Sequence, residues 1–187
     1  MFGFNLETLN TTSNAVVLSA TLISFKDGMS FADLVNNAIF VKFSVEHQKN
    51  RSISKGCLAH WSKQPQHIKI KSFNPAKNDW STEKCITSLS NYYNEHKLTE
   101  ELIWCRGGFH QLIFDDLCHG AGLEPFAKFY QFRDFRTAID ILSTESRRGY
   151  CPVYKKGFDY NKIDKHDLVH RCAYDIMQLL YFNKENE

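Results

Sequence analysis

The sequence predicts an α/β domain: a mixed, mainly five-stranded sheet with helices packed on it in three layers. Three observations lead there. Short runs rich in β-branched and aromatic residues dominate the first part of the chain. Amphipathic patches of helical length then alternate with further short apolar runs, as in layered α/β folds. The chain has 187 residues, within the range of one domain and long enough to bury a full core, so residues 1–187 are read as a single domain.

The elements follow in order. Phe2 to Thr8 reads as a buried first strand, and Ala15 to Phe25 as a longer second one. Thr11-Thr12-Ser13-Asn14 between them is turn chemistry, as is Lys26-Asp27-Gly28 after them. Ala38 to Phe43 alternates toward a third strand. Helical patches run from Ser54 to Ser62 and from Thr82 to His96, the latter with Ser81 as its N-cap. Leu102 to Cys105 reads as a strand that passes through Arg106-Gly107-Gly108 into a helix from Phe109 to Cys118. Lys128 to Phe132 suits a short last strand, and helices from Phe135 to Leu142 and from Asp167 to Phe182 complete the pattern. There is no internal repeat or low-complexity tract.

The segment from Ser143 to Lys165 has Gly149, Pro152 and Gly157 but no period, and a loop of that length is usually functional or mobile. Its rings Tyr150, Tyr154, Phe158 and Tyr160 have two readings: they stack the bases of a single strand, or they pin the loop to the core. The net formal charge is only +2, so bulk electrostatics does not announce a nucleic-acid binder. Basic residues nevertheless cluster at Lys49, Arg51 and Lys55, at Lys69, Lys71 and Lys77, and at Arg147, Arg148, Lys155, Lys156, Lys162 and Lys165. The last cluster reads either as phosphate attraction or as a solvated loop, because Glu145, Asp159 and Asp164 interrupt it.

Composition sets limits on compartment and cofactors. No stretch approaches the roughly 20 apolar residues of a membrane-spanning helix, and the N-terminus lacks the pattern of a secretory signal. The six cysteines are scattered with no C-x-x-C, so they read as buried small hydrophobes in a reducing, cytoplasmic setting. Cys118-His119 and His170-x-Cys172 are too isolated to form a structural zinc site.

Three strips remain: Phe4-Asn5-Leu6-Glu7-Thr8, Trp104-Cys105-Arg106-Gly107-Gly108-Phe109-His110, and His166-Asp167-Leu168-Val169-His170-Arg171. With Ala59-His60-Trp61-Ser62-Lys63-Gln64 and Phe129-Tyr130-Gln131-Phe132-Arg133-Asp134-Phe135-Arg136-Thr137, they occur in the order and spacing of one family. In these segments the chain resembles the DEDDh 3′→5′ exonucleases of the RNase H-like class, in particular the exonuclease A type of T-even bacteriophages and related bacterial 3′→5′ exoribonuclease domains.

The resemblance implies an RNase H-like sheet and a two-metal phosphodiesterase site. It also implies that aspartate is replaced at three metal positions, by Asn5, His110 and Arg171, while Glu7 and the general-base position His166 are retained. Magnesium wants carboxylate oxygens, so the usual ion pair is not expected to bind. Glu7, His110 and His166 are the remaining set for one transition ion, and Asp115, Asp116 or Asp167 a source of a replacement carboxylate. Arg171 is expected to fork onto Glu7 or onto a nucleic-acid phosphate, the ion pair being the preferred reading.

Three functions follow. The first is a catalytically inactive, phage-encoded homologue in the host cytoplasm that binds single-stranded DNA or RNA, or a host or phage protein, as decoy, regulator or antagonist. Its nucleic-acid contacts would come from Arg147, Arg148, Lys155, Lys156 and Arg171, and it would need no cofactor. The second is an active 3′→5′ exonuclease on single strands with a rearranged magnesium or manganese site. The third is a structural or assembly protein.

Overall fold

Alternation along the first strand, β1 (Phe2–Thr8), separates the two helical layers. Phe2, Phe4 and Leu6 point into one core, while Gly3, Asn5 and Glu7 occupy the opposite face. The computed structural model describes residues 1–99 and 101–186. Around β1 lie β2 (Val17–Ser24), β3 (Ala38–Lys42), β4 (Ile103–Cys105) and β5 (Phe132–Asp134), in the order β3-β2-β1-β4-β5. The first three strands form an antiparallel meander, and β4 and β5 run parallel to β1.

The helices are α1 (Phe31–Asn36), α2 (Lys55–Ser62), α3 (Gln66–Ile68), α4 (Thr82–His96), α5 (Phe109–Gly120), α6 (Phe135–Leu142) and α7 (Leu168–Leu180). One core joins β1 to α4 and α5 through Ile86, Leu89, Ile113 and Phe114. A second joins the sheet to α1, α6 and α7 through Leu34, Ile139, Cys172 and Ile176. The result is the three-layer arrangement that the sequence predicts.

α7 approaches β1 closely because Gly3 has no side chain. A Cβ there would lie 2.7 Å from Ile176 Cδ1 and 3.1 Å from Cys172 Sγ. A third, smaller cluster of Leu9, Val16, Leu18, Trp61 and Ile68 holds α2 and α3 against the end of β1. There Trp61 stacks on Phe73 and donates from Nε1 to the Thr8 carbonyl at 3.4 Å. Gln48, which the sequence does not single out, pairs with the start of β2 as a strand would. Its side-chain oxygen accepts from Val17 N–H and its amide donates to Val17 C=O, both at 2.8 Å.

Several boundaries differ from expectation. Lys128 to Gln131 is not strand: Phe129–Gln131 is a 3₁₀ turn and β5 starts at Phe132. The reason is Gln131, whose side chain accepts from Lys128 N–H and donates to the Glu101 carbonyl and the Tyr93 hydroxyl. Those bonds curl the chain before it joins the sheet. β2 is shorter than Ala15 to Phe25, since Ala15 leaves it for an isolated bridge to Ser52. Asp167 is the N-cap of α7, not a helical residue, and accepts from Val169 and His170 N–H groups. α1, with a Ser30–Asp33 capping box, and the segment from α3 into a π turn at Lys69–Phe73 have no counterpart in the sequence reading.

Because Gly3 permits the contact between β1 and α7, Gly3→Ala should lower stability by roughly 1 kcal/mol and Gly3→Val by roughly 2–3 kcal/mol. Urea titration of the variants checks this, and an unchanged midpoint for Gly3→Val would contradict it.

Candidate functional site

The C-terminal ends of β1 and β4, the start of α7 and the loop after α6 enclose a cleft of about 530 Å³. It is the place where an α/β sheet of this connectivity presents side chains for chemistry. α7 sets its electrostatics. Arg171 and Asp175, one turn apart, both face it and both find partners on the sheet side.

Arg171 Nη1 donates to Glu7 Oε1 at 2.6 Å, so the ion pair expected from the sequence is present. Burial pushes the Glu7 carboxyl pKa up, and the Arg171 charge opposes that rise. Asp175 is held by a two-pronged contact from Arg106: Nε donates to Oδ2 at 2.9 Å and Nη2 reaches Oδ1. Both members of that pair are buried, and the Tyr150 ring covers the guanidinium at 4.2 Å. Arg106 Nη1 is buried with no hydrogen-bond partner among the described residues.

Asn5 and His110 sit deeper than Glu7. Asn5 is fully buried, and neither atom of its amide has a partner among the described residues. His110 is buried in the first turn of α5, with Nδ1 unpartnered. Burial first, and then the nearby Arg171, Arg106 and Arg136 charges, push its pKa down to about 3, so the ring is neutral at ordinary pH. His166 lines the mouth of the cleft, and its main-chain N–H, not its ring, fixes the loop by donating to Asp164 Oδ1 at 2.9 Å. His170 turns away to accept from Asp164 N–H and to pack on Phe31.

Glu7, His110 and His166 do not come together. Among the described residues, no group of three or more His, Cys, Asp or Glu side chains is placed to hold a metal ion. The carboxylates considered as replacements have other partners, although the Asp167 charge lies near enough to Glu7 to add to the rise in its pKa. Asp167 caps α7 and pairs with Lys71, and Asp116 pairs with Arg51 at 2.7 Å beside a second, polar cleft near the start of α4. Asp115 does not line the cleft, and Asp134 caps α6 by accepting from Thr137 N–H at 2.7 Å.

The basic residues distribute differently from their linear density. Arg171 lines the cleft, and Arg147 lines an adjoining groove with Tyr150 and Tyr160. Lys155 is not at the cleft. It donates to the Gly28 carbonyl and lies 4.4 Å from the Tyr181 ring centroid, near the other end of α7. Arg148 and Lys156 are exposed but line neither the cleft nor that groove. Arg106, Arg136 and Lys165 supply the remaining positive charge. Of the loop aromatics, Tyr150 and Tyr160 reach the cleft, whereas Tyr154 bonds to Glu145 outside it. Tyr160 also pins the loop, its hydroxyl accepting from Val153 N–H at 2.7 Å.

Strand order 3-2-1-4-5 with one antiparallel meander, helices on both faces and a cleft at the carboxyl ends of β1 and β4 define an RNase H-like exonuclease fold. No protein-family model matches the chain. It is, however, 30% identical to the exodeoxyribonuclease of Enterobacteria phage T4 over an alignment of 205 residues, which covers 97% of this chain and 88% of that protein. The chain belongs to the family of that exodeoxyribonuclease.

Two outcomes follow from the buried charges. Asp175→Asn leaves the Arg106 guanidinium buried without its counter-charge and should cost about 3–5 kcal/mol. Arg171→Ala should cost only about 1 kcal/mol, because the Arg171 side chain is 37% exposed and solvent screens the pair. Chemical denaturation of the two variants reads the ordering, and equal losses would contradict it.

His110 makes stability depend on pH. Its folded pKa is depressed from 6.5 to about 3, so on acidification the unfolded chain takes the proton first. The stabilisation is complete above about pH 6.5 and is lost as pH falls toward about 3, by at most ~1.4 kcal/mol per unit. Glu7 acts in the opposite sense, since its raised pKa removes stability as pH rises above about 4.5. The difference between wild type and His110→Gln isolates the histidine. Wild type should lose stability faster between pH 6.5 and 4, and parallel pH profiles would contradict the assignment.

Proposed function

We propose that this chain is a DEDDh-type exonuclease homologue whose metal site has been dismantled, and that it uses the cleft to hold single-stranded nucleic acid without cutting it. One observation carries the reading. The Arg171 guanidinium lies 2.6 Å from the single carboxylate, Glu7, that the resemblance retains at the metal position.

The donor set does not fit a pair of magnesium ions. Such ions take mainly carboxylate oxygens, which also offset the ions' mutual repulsion. Here the corresponding positions hold a buried neutral amide, a buried neutral imidazole and a cation. At the effective dielectric of a protein site, a unit charge at contact distance amounts to several kcal/mol, so Arg171 and a divalent ion exclude each other beside Glu7. What the residues retain is anion recognition: Arg136, Lys165 and Arg171 attract phosphate, and Tyr150 and Tyr160 offer ring faces to bases.

A second reading, an active exonuclease with a rearranged site, draws support from the relative, which is called an exodeoxyribonuclease. It requires a carboxylate to reach Glu7, and Asp116 and Asp167 would first have to leave Arg51 and Lys71.

A labelled single-stranded oligonucleotide distinguishes the two. The expected result is intact substrate with magnesium or manganese, together with binding that weakens steeply as salt rises. Stepwise 3′→5′ shortening that disappears in Glu7→Gln would falsify the non-cleaving reading. Absence of binding at low salt would remove the nucleic-acid role altogether.

A further inference from the structure

Charge in the cleft is not balanced. Its walls carry four cations, Arg106, Arg136, Lys165 and Arg171, against two carboxylates, Glu7 and Asp175, so two positive charges remain among the Arg, Lys, Asp and Glu side chains. The two carboxylates are already matched, by Arg171 and Arg106. The side chains of Arg136 and Lys165 line the cleft without an ion pair or hydrogen bond among the described residues. Arg171 commits only Nη1 to Glu7, and the rest of its fork is unbonded among the described residues.

Packing constrains the stem of one of these cations, Arg136. Gly149 packs on the stem of Arg136: a Cβ at residue 149 would lie 2.4 Å from Arg136 Cβ and 2.6 Å from its Cα. At φ +75° this position favours glycine, so the loop turns sharply over Arg136 and limits where its head can go. The neighbouring Tyr150 then lies across Arg106, whose buried Nη1 lacks an acceptor.

We infer that the cleft is a metal-independent receptor for a phosphate monoester of a nucleotide, with Arg136, Lys165 and the free edge of Arg171 as its donors. A monoester carries close to two negative charges at neutral pH and matches the two unbalanced cations, whereas an internal phosphodiester carries one. The cleft volume of about 530 Å³ suits one ligand of nucleotide size, with Tyr150, Tyr160 and Tyr174 as apolar walls. This deepens the nucleic-acid reading of the same site and rests on it. The monoester has two sources, a free nucleoside monophosphate or the phosphorylated end of a strand.

Fluorescence binding with the full chain in EDTA at low salt tests the inference. The probes are a short oligothymidylate bearing a 5′-phosphate, a 3′-phosphate or hydroxyl ends, with thymidine 5′-monophosphate and thymidine as competitors. At least one phosphorylated end should bind about tenfold more tightly than the hydroxyl-ended strand, or the monophosphate should compete about tenfold better than thymidine. The first result assigns the strand end as the source, and the second assigns the free nucleotide.

Arg136→Gln with Lys165→Gln, both at exposed positions, should reduce either preference to below about twofold with an unchanged melting temperature. Equal binding of phosphorylated and hydroxyl-ended strands, with no discrimination among the competitors, overturns the inference while leaving the non-cleaving strand reading intact. Saturable heat from thymidine 5′-monophosphate in a direct calorimetric titration, without any strand binding, upholds the phosphate site and sinks the strand reading. No binding of any probe overturns both.

Discussion

Two ion pairs of opposite polarity fasten α7 to the sheet, and the character of the cleft depends on them. Arg171 reaches the carboxylate at the end of β1, and one turn later Asp175 receives the guanidinium that follows β4. Helical spacing places both on one face, while Val169, Cys172 and Ile176 fill the core on the other side of the helix. Each pair neutralises one charge from each side, so α7 can lie against β1 at the bare Gly3 with both of its own cleft-facing charges matched. The more deeply buried pair, Arg106 with Asp175, anchors the helix. The more exposed one, Arg171 with Glu7, places a guanidinium in front of the cleft's carboxylate at the end of β1.

From that arrangement the chemistry follows on the proposed reading. A cation already occupies the space in front of Glu7, and the two positions behind it are neutral and buried. Neutral His110 is itself a consequence, because burial and three arginine charges all disfavour its protonation. The cleft therefore attracts anions where a two-metal site would attract cations, and recognition survives without the groups that polarise water. Family membership, shown by the T4 exodeoxyribonuclease, and the present site chemistry are separate matters: the fold is inherited as a whole, and the activity resides in a few side chains.

Much of the scaffold was legible in the sequence, and the reasons are local. α4 and α6 run from Thr82 to His96 and from Phe135 to Leu142, as their apolar periods and caps indicate. β1 is equally plain, with its large residues on one side. α1 was hidden because six residues are too few to establish a period, although Ser30 and Asp33 carry a capping signal. The start of β5 was hidden because Gln131 bonds to groups 30 and 38 residues away, which no local pattern records.

The site was legible in the same uneven way. Glu7 with Arg171 could be paired because the resemblance places both at one point. Arg106 could not be, since its partner lies 69 positions onward and Arg106-Gly107-Gly108 reads as turn. Lys155 stood out by linear charge density, yet an extended loop carries it toward Tyr181 and away from the cleft.

The central claim is that Arg171 excludes divalent ions from Glu7. Calorimetric titration of the protein with manganese, beside magnesium and zinc, addresses it most directly, with Arg171→Asp as the comparison. The account predicts no saturable heat from manganese in the wild-type protein and a measurable, weak site once the guanidinium is exchanged for a carboxylate. One or two tight manganese sites in the wild type, lost on Glu7→Gln, would contradict it.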